Sequence, residues 1–229
     1  MTRSEGCLAD KVCDQPETPS ANVTTRRLPA EKRRKQILRS AIRVFAQATY
    51  HGATTKRIAE EAGVTEALIY RYFGSKRALF TDAVQDSSAW LADGLIAVLD
   101  EHGEDPQQTA TECFAYYVRV LERHEDLAKM IFLVLSELDQ PDIREAYLPH
   151  QTRALKAIGL KVKRWRSQGL VDEELAPEGT AWLLFGTYLI LALIKHSHGE
   201  LSVPPAYVLK LVRPYLNLQA LHPDEDEAS

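Results

Sequence analysis

The sequence predicts an all-α protein of nine helices, with a three-helix N-terminal head and a six-helix C-terminal body. Apolar residues recur at helical spacing through most of the chain, as in the stripe formed by Ile37, Ala41, Ile42, Phe45 and Ala48. No stretch combines strand-like alternation with the turn residues of a hairpin. The length of 229 residues suffices for a small domain followed by a larger one.

Glycines divide the predicted head, residues 29–75, into three helices. The first covers residues 30–49 and is closed by Gly52, since glycine is common just past a helix end. The second and third cover residues 55–62 and 65–73, separated by Gly63. Thr65 and Ser75 have the hydroxyl side chains that cap helix N-termini, so they are expected to start the third helix and the first helix of the body.

The predicted body, residues 76–222, is divided by prolines, glycines and polar turns in the same way. Its six helices are expected at residues 76–101, 107–124, 127–138, 143–168, 177–197 and 204–221. A polar leader, residues 1–28, and an acidic tail, residues 223–229, have no sustained apolar period, which is typical of disordered segments.

The charges of the chain are distributed unevenly. The net charge is −4. From Arg26 to Arg77, however, thirteen Lys and Arg stand against four Asp and Glu, a balance of +9, which leaves −13 for the rest. A basic region inside an acidic protein indicates local contact with nucleic acid.

Residues 54–73 have the pattern of a helix-turn-helix, two short helices joined by a turn that contains Gly63. The second helix of such a pair enters the major groove with its N-terminal residues. Thr65 and Glu66 are therefore predicted to hydrogen-bond base edges, and Ala67 and Leu68 to contact a thymine methyl group. Arg57 is expected at a guanine or a phosphate. Phosphate contacts are predicted for five further residues: Thr54, Thr55, Tyr70, Tyr72 and Lys76.

In combination these motifs resemble the TetR family of bacterial regulators. The resemblance covers residues 35–80 and rests on Thr54-Thr55, Ile58-Ala59, Gly63-Val64, Tyr70-Arg71-Tyr72-Phe73-Gly74-Ser75-Lys76 and Leu79. It implies a three-helix DNA-binding head, a ligand-binding and dimerising body, phosphate contacts by Tyr70 and Lys76, and usually repression. Glu66, Leu68 and Arg77 depart from the residues common in the family, so the base sequence that the head reads is not predicted.

The segment from Ala181 to Ile194 is apolar on every face, and a helix of this kind is covered on all sides. Together with the final helix it is predicted to form a homodimer interface, the arrangement that the resemblance implies. The alternative is that both helices belong to the core of a monomer. The predicted interface residues are Leu189, Leu193, Val208, Leu211, Val212 and Tyr215.

Aromatic residues in the central helices are candidates for a pocket that takes a small-molecule effector. They are Trp90, Phe114, Tyr117, Phe132, Trp165 and Trp182. The alternative is that these side chains are ordinary core. No spacing of His and Cys indicates a metal site, and no cofactor is expected.

The sequence therefore predicts a cytoplasmic DNA-binding repressor that binds a palindromic operator as a homodimer and is released by a small, largely apolar ligand. A regulator without a small-molecule effector stays open as an alternative. A helical enzyme is disfavoured, because no nucleophile–base pair, phosphate-binding glycine loop or paired carboxylate stands out. No membrane partner is expected, because the run from Ala181 to Ile194 is short for a bilayer, which needs about 20 residues.

Overall fold

The computed structural model describes residues 29–200, and these form eight helices and no strand. The head consists of α1 (Ala30–Gly52), α2 (Thr55–Ala62) and α3 (Glu66–Phe73). The body consists of α4 (Lys76–His102), α5 (Pro106–Arg123), α6 (Glu125–Ser136), α7 (Pro141–Ser167) and α8 (Pro177–His198). The predicted all-α class is confirmed. The predicted leader, ninth helix and acidic tail lie outside the described residues.

Short polar side chains cap the N-termini of α2, α3 and α4. Thr54 accepts a hydrogen bond from the backbone N–H of Arg57, and Thr65 accepts one from Leu68. Ser75 does the same at the start of α4, where it accepts from the N–H of Ala78. Each cap satisfies one of the backbone donors that a helix N-terminus leaves free.

The end of α1 differs from the prediction that Gly52 closes it. The helix is interrupted at Thr49, which has φ 61° and ψ 173°, a conformation rare for a residue with a branched side chain. Such a backbone costs on the order of 1–3 kcal/mol and persists only where the surroundings hold it. Tyr50, the next residue, packs between Phe45 and Phe80, with ring centroids at 6.3 and 4.9 Å.

Buried apolar side chains form one continuous core through the head and the body. In the body α4 packs mainly against α7, and α7 packs against α8. Gly94 lets α5 approach α4, since a Cβ at this position would clash with the hydroxyl of Tyr116. That hydroxyl donates to the carbonyl oxygen of Leu91 at 3.1 Å.

The length argument against a membrane span does not hold for α8. The helix has 22 residues, and by length and composition it is apolar enough to cross a bilayer. Core helices of globular proteins pass the same test, and α8 packs against α5, α6 and α7. A third of its most apolar window is buried, and the rest is half-buried or exposed.

Candidate nucleic-acid interface and ligand cavity

The turn between α2 and α3 fixes the angle of the candidate recognition helix. Gly63 has φ 61°, the left-handed conformation that glycine adopts without a steric penalty. The side chain of Gln36 on α1 donates to the carbonyl oxygen of Ala62 at 2.8 Å, and this bond ties the turn to the first helix. Arg43 on α1 pairs with Glu61 on α2 at 2.9 Å. The pair of short helices is therefore held from one side by α1.

The N-terminal half of α3 lies on the surface. Thr65, Glu66 and Ala67 are exposed, whereas Leu68 is half-buried. A helix that offers its first residues to the outside can place them against base edges in the major groove. Three of the four residues predicted to contact bases thus lie on one open face.

The structure gives Thr55 and Glu66 a role that differs from the predicted one. Thr55 is buried, and its hydroxyl donates to the carboxylate of Glu66 and lies 3.2 Å from the hydroxyl of Tyr70. The Thr55 hydroxyl is therefore occupied inside the head instead of being open to a phosphate. The bond joins the start of α2 to the start of α3. Glu66, which departs from the family pattern, therefore helps to fix the position of α3, the candidate recognition helix.

The remaining predicted phosphate ligands surround this face. Thr54 is exposed at the start of α2, and the Tyr70 side chain is 46% exposed. Tyr72 is half-buried, and the guanidinium of Arg71 lies 5.7 Å from its ring centroid. Lys76 lies with its ammonium 4.7 Å from the ring centroid of Tyr50, and burial lowers the pKa of Lys76.

One partner in this region was not found from the sequence. Arg57 is exposed, and its guanidinium donates to the side-chain oxygen of Gln47 on α1 at 2.9 Å. Gln47 lies ten positions earlier on a different helix, so only the packing of α1 against α2 brings the two side chains together.

Arg77 links the head to the body. At the start of α4 its guanidinium donates two hydrogen bonds to Asp142 of α7, at 2.6 and 2.7 Å, and one to Glu137 at 3.3 Å. Its guanidinium carbon also lies 5.2 Å from the Tyr50 ring centroid. The guanidinium lowers the pKa of Asp142 to about 2. Thr81 donates to the same carboxylate at 3.0 Å.

A cavity of about 60 Å³ lies within the body. All five body helices contribute to its walls. The lining residues are Ser87, Ser88, Leu91, Ala92, Leu95, Tyr117, Leu127, Met130, Ile131, Val134, Tyr147, His150, Gln151, Ala154, Phe185 and Tyr188. A ligand that enters or leaves this cavity would therefore contact α4 and α7 together.

Only Tyr117, of the six aromatic residues predicted to line a pocket, lines this cavity. Phe114 and Trp165 are buried in the core, and Trp165 donates to the carbonyl oxygen of Gly103 at 2.8 Å. Trp90 packs on Tyr116, and Phe132 on His196. Trp182 is 55% exposed. The aliphatic and polar lining was missed because helical spacing alone does not distinguish a cavity wall from solid core.

An apolar stripe on α8 is open in the described part of the chain. Trp182, Ile190 and Leu193 are each more than half exposed, and their spacing of eight and three residues places them along one side of the helix. Of the residues predicted to form a dimer interface, Leu193 belongs to this stripe and Leu189 is half-buried. Val208, Leu211, Val212 and Tyr215 lie outside the described residues.

Residues 37–83 match the domain described as bacterial regulatory proteins, tetR family. The transcriptional repressor AcnR of Corynebacterium efficiens is 27% identical over 150 residues, which cover 63% of this chain and 72% of the repressor. The transcriptional activator FasR of Mycolicibacterium smegmatis is 32% identical over 91 residues, 40% of this chain and 42% of the activator.

The head of the chain is therefore a domain of the TetR family. The chain is a transcriptional regulator, as the predicted motifs indicated. The fold agrees with a solved structure of a regulator from Saccharomonospora viridis in complex with choline. That structure has a TM-score of 0.69 and 20% identity, and the match covers 82% of this chain and 96% of the regulator.

Proposed function

We propose that this TetR-family regulator is a cytoplasmic repressor that binds a palindromic operator as a homodimer and leaves it when a small, largely apolar ligand enters the body. The observation that carries the proposal is the open N-terminal face of α3, where Thr65 and Ala67 are exposed beside the exposed phosphate candidates Thr54 and Tyr70. An exposed helix N-terminus flanked by hydroxyl groups is the kind of surface that enters a major groove.

The rigidity of the head supports DNA reading by α3. The Thr55–Glu66 hydrogen bond, the Gln36 bond to the turn and the Arg43–Glu61 pair each join two of the three helices. A recognition helix held in this way loses little conformational freedom when it binds, which raises affinity.

The open stripe of α8 supports the homodimer. Single exposed apolar residues are common on protein surfaces, but a stripe along one helix indicates a surface that another element covers. A second copy of the chain is the proposed cover, since a two-fold protein presents two recognition helices to half-sites about 34–36 Å apart.

The link between cavity and head supports release by a ligand. Asp142 holds Arg77 at the start of α4, and it lies five residues before Tyr147, which lines the cavity on the same helix. Pro149 lies between Tyr147 and the rest of α7 and removes one hydrogen bond of the helix. A ligand that shifts this part of α7 therefore acts on α4, the helix that connects the head to the body. The shift in the equilibrium between the two arrangements is limited by the difference in the ligand's affinity for them.

A footprint of the protein on the DNA upstream of its own gene tests the proposal. The expected result is a protected, two-fold symmetric site. Lys76→Ala weakens binding about equally for all sequences, whereas Thr65→Ala and Ala67→Gly change the preference among them. A protected site without symmetry contradicts the homodimer, and the absence of any protected sequence contradicts operator binding at that DNA.

Activation is the second candidate, because the relative FasR is an activator. A reporter gene placed behind the footprinted site separates the two. Repression predicts that deletion of the regulator raises reporter expression, and activation predicts that it lowers it.

A further inference from the structure

The described residues that line the body cavity carry no formal charge. Among residues 29–200, its lining contains no Asp, Glu, Lys or Arg. Among the described lining residues, His150 is the one whose side chain titrates near neutral pH. Burial lowers the pKa of this imidazole, with the charge of Arg153 acting in the same direction and that of Asp93 in the opposite one, so the uncharged form is favoured. An ion that enters this cavity loses its hydration and meets no opposite charge.

One residue of the cavity wall, Tyr147, carries a buried hydroxyl that has no hydrogen-bond partner among residues 29–200. The residue as a whole retains 5% of its exposure. Burial also raises the pKa of Tyr147, so the hydroxyl keeps its proton and can donate. Buried polar groups without a partner are rare in folded proteins and costly.

Tyr116 is a buried tyrosine of the same body whose hydroxyl is hydrogen-bonded. It is buried to nearly the same degree as Tyr147, and it donates to the carbonyl oxygen of Leu91 at 3.1 Å. The two tyrosines therefore differ in pairing and not in burial. The unpaired one is the one that lines the cavity.

The volume of the cavity limits what enters without rearrangement. It measures about 60 Å³, and a cavity of roughly 150 Å³ is known to hold benzene. A ligand with an aromatic ring must therefore displace lining side chains. Met130 is the adaptable member of the lining, because an unbranched thioether side chain changes rotamer easily.

We infer that the effector is an uncharged, mostly apolar molecule that brings a hydrogen-bond acceptor, such as a carbonyl or ether oxygen, to the hydroxyl of Tyr147. The inference rests on the proposed function, because it takes this cavity to be the effector site. The apolar part of the molecule fills the space between α4, α6 and α8, and its oxygen supplies the partner that Tyr147 lacks.

Four probes that share a phenylbutyl skeleton test the inference by calorimetry on the full chain. They are the ketone butyrophenone, the hydrocarbon butylbenzene, the anion phenylbutyrate and the cation phenylbutylammonium. The ketone is expected to bind most tightly. Tyr147→Phe keeps the ring and removes the hydroxyl, so it weakens ketone binding by about 3- to 10-fold and leaves hydrocarbon binding unchanged within about twofold.

Tyr116→Phe is the matched control, because it removes a hydroxyl that does not line the cavity. It is expected to change the affinity for neither neutral probe. The inference is overturned if either ion binds more tightly than the ketone, if Tyr147→Phe weakens ketone and hydrocarbon equally, or if neither neutral probe binds. Operator binding is measured on the same preparations. If one of these three outcomes occurs and the protein still binds its operator, only the inferred ligand chemistry is contradicted. If the protein does not bind an operator at all, the proposed function itself is contradicted.

Discussion

The head and the body are built to meet partners of opposite chemistry. In the head, basic side chains such as Lys56, Arg57 and Arg71 are exposed around the face of α3. In the body, the described residues that line the cavity are uncharged, and ion pairs such as Arg153–Asp93 lie on the outside. The head is suited to bind a polyanion that stays hydrated at the protein surface. The body is suited to bind a molecule that loses its hydration inside the cavity. Binding at the two sites should therefore respond differently to salt.

The largest expected effect is the salt dependence of operator binding. If a dimer neutralises about six phosphates, its affinity falls about a thousandfold between 50 and 200 mM salt, because condensed counterions are released. Binding of butyrophenone to the body changes less than about twofold over the same range, since screening acts on charges. Filter binding and calorimetry over a salt series measure the two. A flat operator curve would contradict DNA binding through the basic head.

The next effect concerns the open stripe of α8. Ile190 is 60% exposed there, and Ile190→Glu is expected to give a monomer, because a buried charge at an apolar interface has no partner. Operator affinity then falls by about a hundredfold or more, as the two heads no longer bind as one unit. Light scattering coupled to size exclusion gives the mass.

Leu148→Glu is the control for this substitution. Leu148 is an exposed apolar residue on α7, outside the stripe, so the variant should keep the mass and operator affinity of the parent protein. A dimer that survives Ile190→Glu would show that α8 is covered by something other than a second copy.

The same contrast explains what the sequence could predict. The head depends on local rules, such as Gly63 in a left-handed turn and Thr65 as a cap, and these can be recognised within a few residues. The Thr55–Glu66 bond joins two helices and was missed. In the body, prolines and glycines predicted the bounds of the described helices. The residues that line the cavity could not be predicted, because they depend on how five helices pack and not on which residues are aromatic.

A smaller effect separates the two buried tyrosines without any ligand. Tyr116→Phe should lower the free energy of unfolding by about 1 kcal/mol, because it removes the hydrogen bond to Leu91. Tyr147→Phe should leave it unchanged or raise it, because it removes a hydroxyl that has no partner. Urea denaturation of both variants at one pH measures the difference. Equal destabilisation by the two substitutions would show that Tyr147 is paired in solution.

The smallest effect is the pH dependence of the link between head and body. Arg77 lowers the pKa of Asp142 from the ordinary 3.8 to about 2, so the ionised carboxylate stabilises the folded state. The contribution is present above about pH 4 and is lost as the pH falls towards 2. Because the Asp142 side chain is 43% exposed, Asp142→Asn should cost only about 0.5–1 kcal/mol at pH 7.

This cost should shrink as the pH is lowered below 4, where the parent protein loses the same charge. Urea denaturation of both proteins from pH 7 downward measures it. In an Arg77→Met background the same substitution should cost less at every pH, since the partner is gone. A cost that is independent of both pH and Arg77 would mean that Asp142 acts by its shape alone. The start of α4 would then be joined to α7 by packing, and ligand in the cavity would reach the head through Tyr50 and Phe80 instead of through the ion pair.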